Sequence, residues 1–270
     1  MEKTAVADVL RRNNVSVTGN PSGRTLVFAH GFGCSQEAWN LVAPHFEQDF
    51  KVVLFDHVGA GGSDLSAYSR AKYDSLHGYA DDVLEILDAL DEHDVVFVGH
   101  SVSSMIGVLA ANRDPSRFAS LVLVGPSPRY VNQGAYRGGF EPADIDALLE
   151  ALDANYLGWS AVAAPMMMGN PDRPELGARL TDSFCRTDPE IARHFAHVTF
   201  LSDNRSDLAG VTVPTLILQS TDDVIAPLAV GEFVHGEIPA SRFTLLQATG
   251  HVPILSGPEE VVAALRDHLA

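Results

Sequence analysis

Residues Val95–Ala111 read VVFVGHSVSSMIGVLAA. Val95–Gly99 is an apolar run suited to a strand buried on both faces, and small and apolar residues at helical spacing follow from Val102. Only His100-Ser101 separates the two, so the chain must turn sharply, with the apical residue in a strained backbone conformation and its side chain exposed. Ser101 holds that apex, at the positive end of the following helix, where the Val102 N–H can donate to an oxyanion. The pattern is short, and Ser103 stands where a final glycine is usual. A serine N-cap fits the same residues equally well, so the stretch needs support from elsewhere in the chain.

Working outward, further short apolar runs recur at Thr25–His30, Lys51–Asp56, Leu121–Gly125, Thr215–Gln219 and Phe243–Gln247, each reading as a strand buried on both faces. Amphipathic stretches such as Ser75–His93 and Pro258–Leu269 lie between or after them, so strand and helix alternate. That alternation predicts an α/β fold, a mostly parallel sheet flanked by helices. It breaks between about Val131 and Ser206, where helical patterns replace strands and Pro142, Pro174 and Pro189 suit first helical turns. The expected organisation is a core of residues 1–130 and 207–270 with a helical cap, 131–206, inserted over the sheet's carboxyl edge, where open α/β folds bind ligands.

Composition agrees with a globular chain: 270 residues, 46% hydrophobic, with no run near the ~18 apolar residues of a membrane span. The net charge of −17 opposes phosphate backbones and anionic lipid, so neither nucleic acid nor membrane is an expected partner. The N-terminal MEKTAVADVLRRNN lacks an apolar targeting core, and Cys34 and Cys185 form neither a CxxC pair nor a disulfide framework. Both features point to a cytoplasmic protein with ordinary packed thiols.

A serine nucleophile needs a base to take its proton and a carboxylate to fix that base's tautomer. Asp222 and Asp223 follow the strand Thr215–Gln219, and His251 follows Phe243–Gln247, each in a loop at a strand's carboxyl end. The order serine, acid, histidine leaves 122 residues from Ser101 to Asp223 and 28 from there to His251, room for the cap and then one βα unit. Of the 11 histidines, His235 and His268 lie in helical patterns, His194 and His197 in the cap, and His45 and His93 outside any such loop. His251 is therefore the candidate base. Adjacent Asp222 and Asp223 would face opposite ways in extended chain, and spacing does not separate them; Asp223 is taken as the acid and Asp222 as a solvated or turn-capping carboxylate. A second oxyanion donor is expected from the loop after an early strand, where Ala29–Gly33 reads AHGFG and Phe32 would lend its N–H. His30 and His100 are expected to pack or bond backbone beneath the site, and Gly59–Asp64 (GAGGSD), which lacks the register of a phosphate loop, reads as a turn.

Taken together, HGFG, DHVGAGGSD, GHSVSSMIGVLA, SPRYVN, GGFE, LQSTDDVIAP and GHVP resemble the α/β-hydrolase superfamily, in particular the branch holding the bacterial stress regulator RsbQ and the plant karrikin and strigolactone receptors. GHSVS, with Ser103, matches that branch. The resemblance implies that the acid is the aspartate four residues before a proline, Asp223 before Pro227, and that Phe32 and Val102 supply the oxyanion hole. It also implies a pocket lined by Tyr130, Phe140, Trp159 and Phe200. Ala163 and Leu180 stand where plant relatives carry phenylalanines, so the cavity should gain room near both. Pro165–Met168, Phe184 and Phe195 would add apolar lining or simply pack the cap.

Two function classes fit. One is a serine hydrolase that attacks the ester or lactone of a small hydrophobic molecule, needing no metal or cofactor. The other is an RsbQ-like stress-signalling module in which the same site binds or slowly hydrolyses its ligand and engages a phosphatase with a PAS sensor domain. Dehalogenase and epoxide hydrolase chemistry would want a carboxylate where Ser101 stands.

Overall fold

The computed structural model of the chain describes residues 2–270. Seven strands, β1 (Ser16–Gly19), β2 (Thr25–Ala29), β3 (Lys51–Phe55), β4 (Val95–His100), β5 (Phe118–Val124), β6 (Thr215–Asp222) and β7 (Ser241–Thr249), form one sheet in the order β1-β3-β2-β4-β5-β6-β7. All neighbours are parallel except β1, which pairs antiparallel with β3. Helices α1 (Glu2–Arg12), α2 (Leu76–Leu90), α3 (Val102–Arg113), α8 (Leu228–Glu237), α9 (Pro253–Ser256) and α10 (Pro258–Leu269) belong with this sheet; α4 (Pro142–Ala154), α5 (Tyr156–Met168), α6 (Pro174–Cys185) and α7 (Pro189–Phe200) fall between β5 and β6.

The predicted fold class is what forms, and burial explains why. Every residue of β2 and β4 is buried, as the unbroken apolar runs require of central parallel strands covered on both faces. β7 differs from expectation: as an edge strand with one neighbour it leaves most of its residues partly or fully exposed. β1 is absent from the sequence reading because Ser16–Gly19 has no apolar run and sits on the opposite edge with one strand partner. Between β5 and β6, the helix opened by Pro142 ends at Asn155, whose side chain accepts from the Gly158 N–H and starts α5 as an N-cap. Pro142, Pro174 and Pro189 open α4, α6 and α7.

Strand order fixes where a ligand can sit. From β2 the chain goes outward to β3, then crosses back to place β4 on β2's other side. The carboxyl ends of β2 and β4 therefore flank a topological switch point, a crevice bounded by loops that diverge in opposite directions. Phe32 follows β2 and Ser101 follows β4.

Candidate active site

Ser101 adopts φ 57° and ψ −122°, a conformation that costs a non-glycine residue roughly 1–3 kcal/mol and persists only where surroundings impose it. Those surroundings are visible. The Ser101 N–H donates to the Val124 carbonyl at the end of β5 (2.8 Å), and the Ser101 carbonyl accepts from the Ser104 N–H (2.9 Å). The helix folds back so closely on its strand that a Cβ at Gly99 would lie 2.4 Å from the Ser103 carbonyl oxygen, so the turn requires a glycine there. The Ser101 side chain caps no N–H of α3, which removes the reading of a serine N-cap. Its hydroxyl lies 2.7 Å from His251 Nε2.

His251 Nδ1 lies 2.8 Å from Asp223 Oδ2. A carboxylate only accepts, so Nδ1 carries the proton and Nε2 is left bare to accept from Ser101. Asp223 is itself held by the backbone: Oδ1 accepts from the Ile225 and Ala226 N–H groups at 2.8 and 2.9 Å. The imidazole is fixed at both neighbouring peptides, since the His251 N–H donates to Met167 and its carbonyl accepts from His100 Nε2, each at 2.8 Å. Ser101, Asp223 and His251 are all buried, whereas Asp222 is exposed and its carbonyl accepts from Gly250. This array can carry a proton from the hydroxyl to the imidazole and hold the resulting imidazolium against a carboxylate.

The loop after β2 lies directly against this array. A Cβ on Gly31 would come within 2.7 Å of His100 Nδ1 and 3.2 Å of Ser101 Cβ, so only glycine lets the loop approach. Among the described residues, neither the Phe32 nor the Val102 N–H donates to a protein acceptor.

Beneath it runs a chain of polar contacts in which His30 and His100 bond backbone as expected, and to which His57 and Ser103 are additions. Ser103 Oγ donates to the His30 carbonyl, and must therefore accept from His57 Nε2 at 2.7 Å. His57 N–H donates to His30 Nε2 (3.1 Å), and His30 Nδ1 donates to the Gly31 carbonyl (2.9 Å). All three histidines of this layer, His30, His57 and His100, are buried, and burial lowers their pKa, that of His100 to about 3, so they remain neutral. His57 was passed over because it precedes a glycine-rich turn; the one signal that could have found its partner is the serine replacing the elbow's usual final glycine.

Above Ser101 is a narrow cavity lined by Phe32, Tyr130, Met167, Leu180, Phe184, Thr199, Phe200 and Ile225 together with Cys34, His100, His251 and Val252. Phe32 anchors its roof, with ring centroids 5.6 Å from Phe184, 5.8 Å from Phe195 and 6.2 Å from Phe200. Three expected lining residues are not on its wall. Trp159 sits one layer out, stacked on Phe184 at an interplanar angle of 10°. Ala163 is buried in α5, and Phe140 pairs through its backbone with Tyr130 and Asn132, half-exposed. The cavity itself leaves about 20 Å³ for the centre of a water-sized molecule, so the room expected near Leu180 lies on its other side, in a surface cleft, and Ala163 borders neither space. A larger cleft of about 800 Å³ lies on the surface between α6 and the Ser35–Asn40 region and shares Cys34 and Leu180 with the cavity, but Ser101 is not on its wall.

Among the described residues no cluster of His, Cys, Asp or Glu could hold a metal, and no helix is long and apolar enough to cross a membrane. Known proteins are similar to this chain along nearly its whole length. It is 38% identical over 258 residues to a probable esterase of Oryza sativa subsp. japonica, covering 95% of each, and 37% identical to a strigolactone esterase of Arabidopsis thaliana, covering 96% of this chain and 97% of that one. A solved hydrolase structure from Oleispira antarctica superposes with a TM-score of 0.95 at 42% identity, over 98% of this chain and 97% of the other. The model of the alpha/beta hydrolase family matches residues 26–264, and the protein belongs to that family.

Proposed function

We propose that the protein is a serine hydrolase acting on the ester or lactone bond of a small hydrophobic molecule. One observation carries this reading: the Ser101–His251–Asp223 hydrogen-bonded array opens on an apolar cavity at the switch point of the sheet. Ser101 Oγ attacks the acyl carbon as His251 Nε2 takes its proton, and the N–H groups of Phe32 and Val102 stabilise the oxyanion. The imidazolium then protonates the departing alkoxide, and His251 next activates a water that releases the acid from Ser101. Residues 131–206 act as a cap, supplying the cavity's Met167, Leu180, Phe184, Thr199 and Phe200. Three plant esterases of similar sequence, two of them named strigolactone esterases, support the reaction class. Purified protein should hydrolyse a simple aryl ester and Ser101→Ala should not; equal rates from the two proteins would refute the reading.

A second reading, an RsbQ-like stress-signalling module in the cytoplasm that activates a PAS-domain phosphatase, draws on the surface of the cap. Helix α5 contains no charged residue and leaves Leu157, Val162 and Met166 exposed, in a chain of net charge −17. Relatives named karrikin insensitive 2 receptors fit the same reading. Co-expression with a PAS-domain phosphatase of the same genome should yield a complex that Val162→Glu breaks; independent purification of the two wild-type proteins would rule this reading out.

A further inference from the structure

Thr199 lies in the last turn of α7, is 1% exposed, and lines the catalytic cavity. Its hydroxyl has no hydrogen-bond partner among the described residues. A threonine inside a helix ordinarily bonds the carbonyl one turn back. Two helical hydroxyls of this protein do so, Thr181 donating to Gly177 at 3.0 Å and Ser160 to Tyr156 at 2.8 Å, while Ser103 and Ser183 donate instead to carbonyls outside their helices. Thr199 does not. A buried hydroxyl left unpaired is destabilising, and the isosteric valine would avoid that cost at this position. Two other buried hydroxyls without partners, Tyr79 Oη and Ser220 Oγ, are off the cavity wall. One further unpaired polar atom belongs to a lining residue, His100 Nδ1, but it is covered by Gly31, whose added Cβ would sit 2.7 Å away. Apart from the serine and its histidine, the remaining wall is mainly aromatic, aliphatic and sulfur-bearing, with the phenol of Tyr130 kept protonated by burial.

From this we infer that Thr199 is a substrate-binding residue, whose hydroxyl donates to a second oxygen, an ether or carbonyl, of an otherwise apolar ester or lactone held by Ser101. The assignment rests on the hydrolase reading and narrows its substrate class: molecules with an oxygen acceptor in the acyl portion are preferred over all-carbon molecules of the same shape. Discrimination of this kind follows from pairing a buried polar group that an all-carbon ligand would leave unsatisfied. Thr199 does not take part in bond making or breaking.

The test compares p-nitrophenyl methoxyacetate with the butanoate, and the methoxypropanoate with the pentanoate, so that each pair exchanges one oxygen for a methylene. In at least one pair, the ratio of kcat/KM for the ether ester over its all-carbon counterpart should fall about tenfold in Thr199→Val and be restored in Thr199→Ser. Thr199→Ala serves as the second variant if valine impairs folding. Ratios unchanged from wild type in both pairs would mean that the hydroxyl holds a water only, and would overturn the assignment. If no ester is turned over, the hydrolase reading fails by itself, and Thr199 is then read from binding. NMR titration of Ser101→Ala with methoxyacetone and pentan-2-one, with and without Thr199→Val, should show the ether preference lost with the hydroxyl; a preference that persists, or none in either protein, overturns the assignment equally.

Discussion

Ser103 Oγ donates its proton to the His30 carbonyl, tying the first turn of α3 to the loop after β2. Those two segments carry Val102 and Phe32, the proposed oxyanion donors, so this bond bridges the elements that present the two N–H groups. His57 Nε2 completes the tie by donating to the same oxygen.

Replacing Ser103 with Ala should lower kcat about tenfold with little change in KM, because displaced donors lose more in the transition state than in substrate binding. The unpaired His57 Nε2–H should also cost roughly 1–3 kcal/mol of stability, read from urea unfolding. Ser103→Thr keeps the hydroxyl and should recover most of kcat; equal activity in the wild type and the Ala variant would contradict the positioning role.

The acid is distinguished from its neighbour by geometry. Asp223 meets His251 Nδ1 and is fixed by two backbone N–H groups, whereas Asp222 is exposed. Asp223→Asn should reduce kcat by about 10³–10⁴ by favouring the wrong imidazole tautomer, and Asp222→Asn should stay within a few-fold of wild type. Steady-state kinetics of both variants decides between them.

Burial holds His100 neutral, with its pKa lowered to about 3 from the 6.5 of an unperturbed histidine. Between those values the unfolded chain binds a proton that the folded chain does not, so stability is full above about pH 6.5 and falls as pH drops toward 3. His100→Gln should reduce the slope of unfolding free energy against pH by up to about 1.4 kcal/mol per pH unit within that window. Chemical denaturation at pH 4.5–7.5 reads this; identical slopes would contradict it.

Thiol reactivity offers a check on the packing of the loop after β2. Cys34 is buried, and desolvation pushes its pKa up to about 12, while Cys185 is exposed. Native protein should react rapidly with a disulfide reagent at Cys185 alone, and Cys34 should follow only on denaturation. Rapid reaction of both in the native state would show the loop to be open.

The sequence shows the fold through the apolar runs of β2 and β4, which central parallel strands require, and through the seam at Ser101. The positions of Asp223 and His251, which the fold brings against Ser101, were legible because both lie in loops at strand ends, and strand ends leave a hydrophobic trace. β1 left none, being short, polar and at an edge. Cavity lining was less legible still: whether Trp159 or Phe184 reaches the hollow depends on how one ring stacks on the other, and both suit an apolar helix face. The His57–Ser103 pair and the unpaired Thr199 were missed for the same reason, since each is defined by a contact, or by the lack of one, between distant parts of the chain.

Whether Ser101 is a nucleophile activated by His251 is read from reaction with a fluorophosphonate followed by intact-mass and peptide analysis. One adduct per chain is expected, located on Ser101, with labelling lost in Ser101→Ala and strongly slowed in His251→Ala. A folded wild-type protein that stays unlabelled, or carries its label on another residue, would contradict it.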